Sequence, residues 1–416
     1  MRDLRAIGYL AAGTLVRAAG GLATAKIVAI SVSLKEFGQL SQFMALVAFV
    51  GMFAAGGIAP GVTRVIAASG AGTQQVSWYA TILRVYTATT AMIALLAVTL
   101  SMPLSQWIFG TDQYAWTIAA LGCTQALVGL GNIYQAAAAA HGNYRVIFFS
   151  NAVGVAGGIV VLAVLAYRWG YAGAALGVVL LPAGPGLAIA LAKVRSVGAL
   201  AAVHCSAVDL KKIVHLFSFS AITLAGAASI ILAQMAVRNL IGNSVGWEAV
   251  GFWQSTIRIS DVYMQFVSVI LMNYALPRLA RSQIHALGAE FLSIVKKILF
   301  LFAVGGASLW LLRRFVYETL YSPDFVDATA LLAPQVIGDA FRVVAVCFSV
   351  LFMSRSRMRI PVMYEMAQGI FFYLGTFLIV SYLGGAAPVY AYCLTYFLLS
   401  ILLAFAYRAR IGFAKT

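Results

Sequence analysis

Twelve apolar runs, most of them long enough to cross a bilayer as a helix, divide this 416-residue chain from end to end. They cover residues 8–31, 41–66, 81–103, 115–139, 146–166, 171–192, 214–237, 249–276, 292–312, 328–353, 360–383 and 386–407. In lipid, such runs satisfy their backbone only as helices or as strands of a closed barrel. The ten-residue alternation of barrel strands is absent. An all-α polytopic membrane protein of about 12 transmembrane helices is therefore expected. Charged residues make up 10% of the chain, and hydrophobic ones 62%. Soluble domains carry roughly 25% charge. The first run is too long for a signal-peptide core and carries Arg17 and Lys26, so it is expected to be a retained span.

The net charge of +16 has its origin in the loops, and no nucleic-acid partner is expected from it. With the N-terminus inside, nineteen of the 28 cations fall on the cytoplasmic side and four inside the membrane. Lys35, Arg168, Arg238, Arg313 and Arg314 alone are assigned to the outer side. That asymmetry orients both termini to the cytoplasm. Every loop is short, and the longest, roughly 193–213, divides the chain near its middle. An N-lobe over 1–198 and a C-lobe over 199–416 are expected, six helices each. No Cys/His metal spacing occurs, and Cys123, Cys205, Cys347 and Cys393 suggest no disulfide framework. Neither metal nor cofactor is called for.

The halves echo each other at an offset near 212. Ile108-Phe109-Gly110-Thr111-Asp112 falls on Leu320-Tyr321-Ser322-Pro323-Asp324, Gln125 on Gln335, and Gly38 on Gly251. Six helices per half is an even number, so the repeat is parallel, with a pseudo-two-fold axis along the membrane normal. Substrate would then sit between the lobes near the midplane. Gly51, Gly56, Gly57, Pro60 and Gly61 in the second run, and Pro182 to Gly186 in the sixth, can serve as kinks, close-packing points or hinges.

Charges at membrane depth are costly and usually face a bundle interior or a wet cavity. Arg17, Lys26, Arg258, Asp261, Asp339, Arg342 and Glu365 all fall inside apolar runs. Gln254, Arg258, Asp261 and Gln265 are spaced four, three and four apart, on one helix face. Gln335, Asp339 and Arg342 repeat that pattern in the tenth run, and Glu365 and Gln368 share a face in the eleventh. Arg258 with Asp261, and Asp339 with Arg342, can also simply neutralise each other. Glu365 is left as the lone acid and the candidate titrating switch. Arg17 and Lys26 have no acidic residue in any run of their own half. Backbone carbonyls or snorkelling can absorb them, Lys26 more easily because it lies nearer the outer end. Nine residues separate them, so an ideal helix points them to opposite sides, and Arg17 is the stronger ligand candidate. An unneutralised cationic half suits an anionic group such as a phosphate or pyrophosphate. Buried carboxylates suit a coupling proton or cation.

Several stretches resemble the Wzx-type flippases of polysaccharide biosynthesis, in the superfamily that holds the multidrug extrusion (MATE) proteins and the lipid II flippase. They are Gly57 to Arg64, Trp253 to Asp261 running on to Gln265-Phe266, and Trp310 to Arg313. Gln335 to Asp339 with Arg342, and Tyr364 to Gln368, complete the set. The likeness spans nearly the whole chain and is greatest to lipid III flippases and O-antigen translocases. It implies a two-lobed, MATE-like bundle working by alternating access in the bacterial inner membrane. The implied cargo is an undecaprenyl-pyrophosphate-linked oligosaccharide of O-antigen or enterobacterial common antigen type, moved to the periplasmic leaflet. Arg17, Lys26, Arg64 and Arg258 would engage it, while Asp261, Asp339, Arg342 and Glu365 would couple or gate. Gln254, Gln265, Gln335 and Gln368 would support them. Membrane lipid, a polysaccharide polymerase and a chain-length regulator are the implied partners, for a chain acting as a monomer. Arg17 and Arg64 stand where the family carries lysine, and Arg258 is an addition to its Ser-Asp motif.

Two other functions compete. A MATE-like multidrug exporter would prefer carboxylate-lined apolar pockets to excess cations. A membrane glycosyltransferase or polymerase using the same lipid carrier would need a catalytic cluster in a sizeable loop. Asp324 and Asp327 lie beside the membrane, but they read as a solvated loop. No phosphate-binding Gly-rich loop follows a strand, so direct use of ATP is not indicated.

Overall fold

The computed structural model describes residues 2–69, 73–192, 209–283 and 285–410. These residues are helical almost throughout and contain no strand. The helices are α1 Arg2–Ser31, α2 Leu34–Met52, α3 Ala59–Ala68, α4 Thr73–Thr99, α5 Ser101–Phe109, α6 Ala115–Ala140, α7 Tyr144–Leu180 and α8 Gly184–Ala192. The second half adds α9 Leu210–Ser244, α10 Trp247–Ile270, α11 Leu276–Arg281, α12 Leu287–Leu311, α13 Arg313–Leu320, α14 Thr329–Ser354, α15 Arg359–Leu383 and α16 Ala387–Arg410. Among the described residues, eight stretches are long and apolar enough to cross a membrane. Two of them, Tyr144–Ala192 and Arg359–Arg408, reach 49 and 50 residues and hold two successive spans each. The apolar runs of the sequence fall on these helices, the second of them, 41–66, divided between α2 and α3, and the chain is a polytopic all-α membrane protein.

The helices gather into two compact units. One comprises Met1–Val32 and Gln42–Ala225, the other Ser33–Ser41 and Gly226–Thr416. The expected boundary at residues 198 and 199 lies outside the described residues.

Both halves repeat one order of elements. A long helix (α4, α12) leads to a short one (α5, α13). A 3₁₀ turn follows, Asp112–Tyr114 in one half and Pro323–Ala328 in the other, and then the next long helix (α6, α14). Phe109 and Tyr321, 212 residues apart, are both buried aromatics. Phe109 packs on Phe43, Tyr114 and Tyr171, and Tyr321 on Phe37 and Phe325. Gly170 and Gly384 are 214 residues apart and turn identical corners, at φ 54°, ψ −129° and φ 52°, ψ −130°. That region is closed to side chains bearing a Cβ, so one glycine replaces a loop between two spans. The repeat read from sequence thus reaches into backbone geometry.

Between helices in lipid there is little hydrophobic drive, and close packing of small residues takes its place. In the first unit, a Cβ on Gly154 would lie 2.2 Å from the Pro185 nitrogen, and one on Gly186 would lie 1.8 Å from the Leu127 carbonyl. The Pro182–Gly186 stretch is therefore a close-packing point of α8 against α6 and α7. The break after α2 is sharper: Ala55, Gly56 and Gly57 all have positive φ, and all three are buried. In the second unit, Gly38 and Gly251 seat α2 against α10, with Trp247 and Leu34 carbonyls 2.0 and 2.6 Å from the places their Cβ atoms would occupy.

Candidate functional site

The most heavily hydrogen-bonded carboxylate described is Asp339, in the second unit, at 0% exposure. Its Oδ2 accepts from Ser260 Oγ at 2.6 Å, Tyr263 OH at 2.5 Å and Gln335 Nε2 at 3.3 Å. Its Oδ1 accepts from Tyr392 OH at 2.6 Å. Three helices supply these donors: α10, α14 itself and α16. Gly338 makes the approach of α16 possible, since a Cβ there would lie 2.6 Å from Tyr392 Cδ1 and 3.1 Å from Cys393 Cα. Pro334, inside α14, removes a backbone donor one residue before Gln335.

The network continues past Tyr392. Arg342 Nη1 donates to the Tyr392 hydroxyl at 3.1 Å, and its guanidinium lies 5.7 Å from the Tyr396 ring centre. Tyr396 OH donates to Gln368 Oε1 at 2.8 Å, and Gln368 Nε2 donates to Glu365 Oε2 at 2.5 Å. A polar path therefore joins α10, α14, α16 and α15. Its hydrogen bonds to charged groups are worth more than neutral ones, about 1.5–3 kcal/mol each. Unsatisfied, the same groups would be expensive in a low-dielectric interior.

A second cluster lies on another face of α10. Arg258 Nη1 and Asp261 Oδ2 stand 4.0 Å apart, both partly exposed. Arg238 of α9 is 3% exposed. Its Nε and Nη2 donate to Gln254 Oε1 at 3.3 and 2.8 Å, and it stacks 5.4 Å from the Trp253 ring centre. Its Nη1 is buried without a hydrogen-bond partner.

The sequence expectations fare unevenly against this geometry. Gln335, Asp339, Arg342, Glu365 and Gln368 do come together, with Arg258 beside Asp261 and Gln254 beneath Arg238. Gln265 is half-buried, with no hydrogen bond among the described residues. Of the two neutralising pairs that the spacing allowed, Asp339 and Arg342 do not pair directly, and the Tyr392 hydroxyl bonds both. Glu365 is not the lone buried acid: it is half-buried, and Asp339 is the fully enclosed one. Arg238 is not an outer-loop cation but a buried residue inside α9, one position beyond the run's assumed end.

Of the first-unit cations, Arg17 is exposed on α1, with no hydrogen bond or ion pair among the described residues. Lys26 is half-buried and Arg64 exposed, and both engage neighbouring groups. Sequence reasoning missed Ser260, Tyr263, Tyr392, Tyr396 and Arg238. The available signal was the i, i+4 pair Tyr392 and Tyr396, two phenols on one face of an apolar helix. Tyrosine counts among the hydrophobic residues of the composition, which hides its hydroxyl.

Residues 4–283 match the family described as polysaccharide biosynthesis protein. The chain belongs to this family. It is 28% identical over 402 residues to the lipid III flippase of Escherichia coli (strain K12), covering 93% of this chain and 94% of that protein. Among solved structures, it resembles an inward-facing MATE family multidrug resistance transporter of the MOP superfamily. That match has a TM-score of 0.81 at 13% identity, covering 97% of this chain and 95% of the other. It also resembles the lipid II flippase MurJ in an inward closed conformation, with a TM-score of 0.76 at 12% identity over 97% and 87% of the two chains. At such identities these two likenesses speak for the fold, which is MATE-like. The Wzx-type resemblance read from the motifs agrees with this family membership.

Proposed function

We propose that this member of the polysaccharide biosynthesis family is a flippase rather than an enzyme. It carries an undecaprenyl-pyrophosphate-linked oligosaccharide from the cytoplasmic to the periplasmic leaflet by alternating access of the lobes 1–198 and 199–416. The observation that carries the reading is the match over nearly its whole length to a protein named lipid III flippase. The residues add chemical sense. Between residues 11 and 31 the first span holds two cations and no acid. Arg17 is exposed on that helix, a position costly in bare hydrocarbon and suited to the diphosphate of a lipid-linked glycan. Lys26, Arg64 and Arg258 are the further cargo ligands in this reading.

Asp261, Asp339, Arg342 and Glu365 form the coupling and gating set, with a proton or cation as the driving ion. The path from Glu365 through Gln368, Tyr396, Arg342 and Tyr392 to Asp339 offers a route by which one site is felt at another. The protein would work as a monomer in the inner membrane, both termini cytoplasmic, beside a polysaccharide polymerase and chain-length regulator.

Complementation of a flippase-null bacterium, scored for surface polysaccharide of defined structure, tests this. Rescue by the wild type and its loss in Arg17→Ala/Lys26→Ala is the expected result. No rescue of any lipid-linked glycan despite good membrane expression sinks the reading. Full transport by the double variant removes the anion-binding role. Binding of a cationic drug in preference to a polyprenyl pyrophosphate would favour a multidrug exporter instead.

A further inference from the structure

A cavity of about 570 Å³ opens in the first unit between α6, α7 and α8, far along the sequence from the network around Asp339. Its origin lies in the packing. Gly154 and Gly131 clamp α8 at Pro185 and Gly186, with a Cβ on Gly131 only 3.1 Å from the Gly186 nitrogen. From that clamp the cavity runs toward the turn that joins α6 to α7 and the end of α8, with Asn143 and Ala192 among its lining residues. The wall is graded along α7. Asn143 and Arg145 stand at its first turn, then Phe149 and Ser150, then Val153, about 15 Å from Asn143 at 1.5 Å per residue. Ile189 of α8 adds an apolar side chain to the lining. Tyr134 of α6 also faces the space.

Three features define what fits. The volume is in the range of ligand sites, roughly 300–1,000 Å³. Arg145 is exposed, and its guanidinium lies 5.5 Å from the Phe149 ring centre, a cation–π contact that holds it beside the cavity. No carboxylate binds its donors among the described residues, so they can meet an anion. Phe149 and Val153 are 48% and 60% exposed, unusual for a protein interior but ordinary for a wall wetted by lipid chains. Basic pockets between transmembrane helices near a membrane surface suit lipid headgroups.

We propose that this cavity is a binding site for a lipid with an anionic phosphate headgroup. Arg145 is the charge partner of the phosphate, and Asn143 and Tyr134 are its neutral hydrogen-bond partners. Phe149, Val153 and Ile189 receive the first carbons of the chain. The site is independent of the transport reading, and either can fail without the other.

The test uses the purified full-length protein, with retained and titrated lipids counted by native mass spectrometry. Phosphatidylglycerol, a polyprenyl phosphate, phosphatidylcholine and inorganic phosphate are compared. Wild type is expected to prefer the anionic lipids to phosphatidylcholine, and whichever anionic lipid binds more tightly names the source. Arg145→Gln should weaken that binding about tenfold or more, with Arg145→Lys intermediate. Val153→Trp, at an exposed position, fills the apolar half and should also weaken it. Equal binding of phosphatidylglycerol and phosphatidylcholine overturns the proposal, as does wild-type lipid binding by Arg145→Gln. Inorganic phosphate binding as tightly as the lipids would remove the apolar half of the site and overturn it too.

Discussion

Replacing Tyr392 with Phe tests whether Asp339 ties α10, α14 and α16 together. The substitution removes one oxygen and leaves the ring packed between Phe372 and Tyr396. That oxygen donates to Asp339 Oδ1 at 2.6 Å and accepts from Arg342 Nη1 at 3.1 Å. Each bond has a charged partner and contributes about 1.5–3 kcal/mol. The two share a network and do not simply add, so a loss of about 2–4 kcal/mol is expected. At roughly 1.4 kcal/mol per factor of ten, the folded-to-unfolded ratio falls about 30- to 1,000-fold. Reversible unfolding in mixed micelles, followed by circular dichroism against denaturant, measures it. Tyr373→Phe is the control: that ring stacks on Phe377 and makes no side-chain hydrogen bond among the described residues. The control should stay within about 0.5 kcal/mol of wild type. A cycle with Asp339→Asn should give a coupling energy of about 0.5–3 kcal/mol. Tyr392→Phe within 0.5 kcal/mol of wild type, or strict additivity in the cycle, would refute the view of Asp339 as a shared anchor (both thresholds on the order of the usual additivity error).

Three further outcomes follow from packing and charge. Gly338→Ala drives a Cβ to 2.6 Å from the Tyr392 ring and should cost about 1–3 kcal/mol. Gly305→Ala meets nothing within 4 Å and should be near neutral; equal melting temperatures for the two would contradict the close approach. Gln254→Leu strips the buried Arg238 guanidinium of its acceptor and should destabilise by several kcal/mol, about 3–5 if the site cannot rewet. Adding Arg238→Met should recover most of that loss, and a double variant no more stable than the single would show that the charge was not the cause. Gly170→Ala and Gly384→Ala place a Cβ at φ 54° and 52° and should each lower stability by roughly 1–3 kcal/mol. Thermal scans showing only one of the two affected would break the equivalence of the corners.

The sequence by itself determined where the apolar helices lie and that their order repeats. Hydropathy is a sum along the chain, and the membrane supplies a fixed thickness against which to read it. That is why the apolar runs reappear as helical stretches, the second one broken at Ala54–Gly57, and why an offset near 212 recovers the matched corners. The same reading found Asp339, Gln335, Arg342, Glu365 and Gln368, because a charged or amide side chain in an apolar run stands out one residue at a time. It went wrong where a residue's role depends on what it faces. The spacing Gln254, Arg258, Asp261, Gln265 marked one polar face of α10, while Ser260 and Tyr263 on another face meet Asp339. Tyr392 and Tyr396 passed as apolar, and Arg238 was lost to a boundary one residue short.

Only the tertiary structure decided these partners. The rotation of each helix about its axis is set by non-local contacts, such as the glycine crossings at Gly251 and Gly338. A periodicity shows that two residues share a face. It carries no information on which neighbouring helix that face will meet.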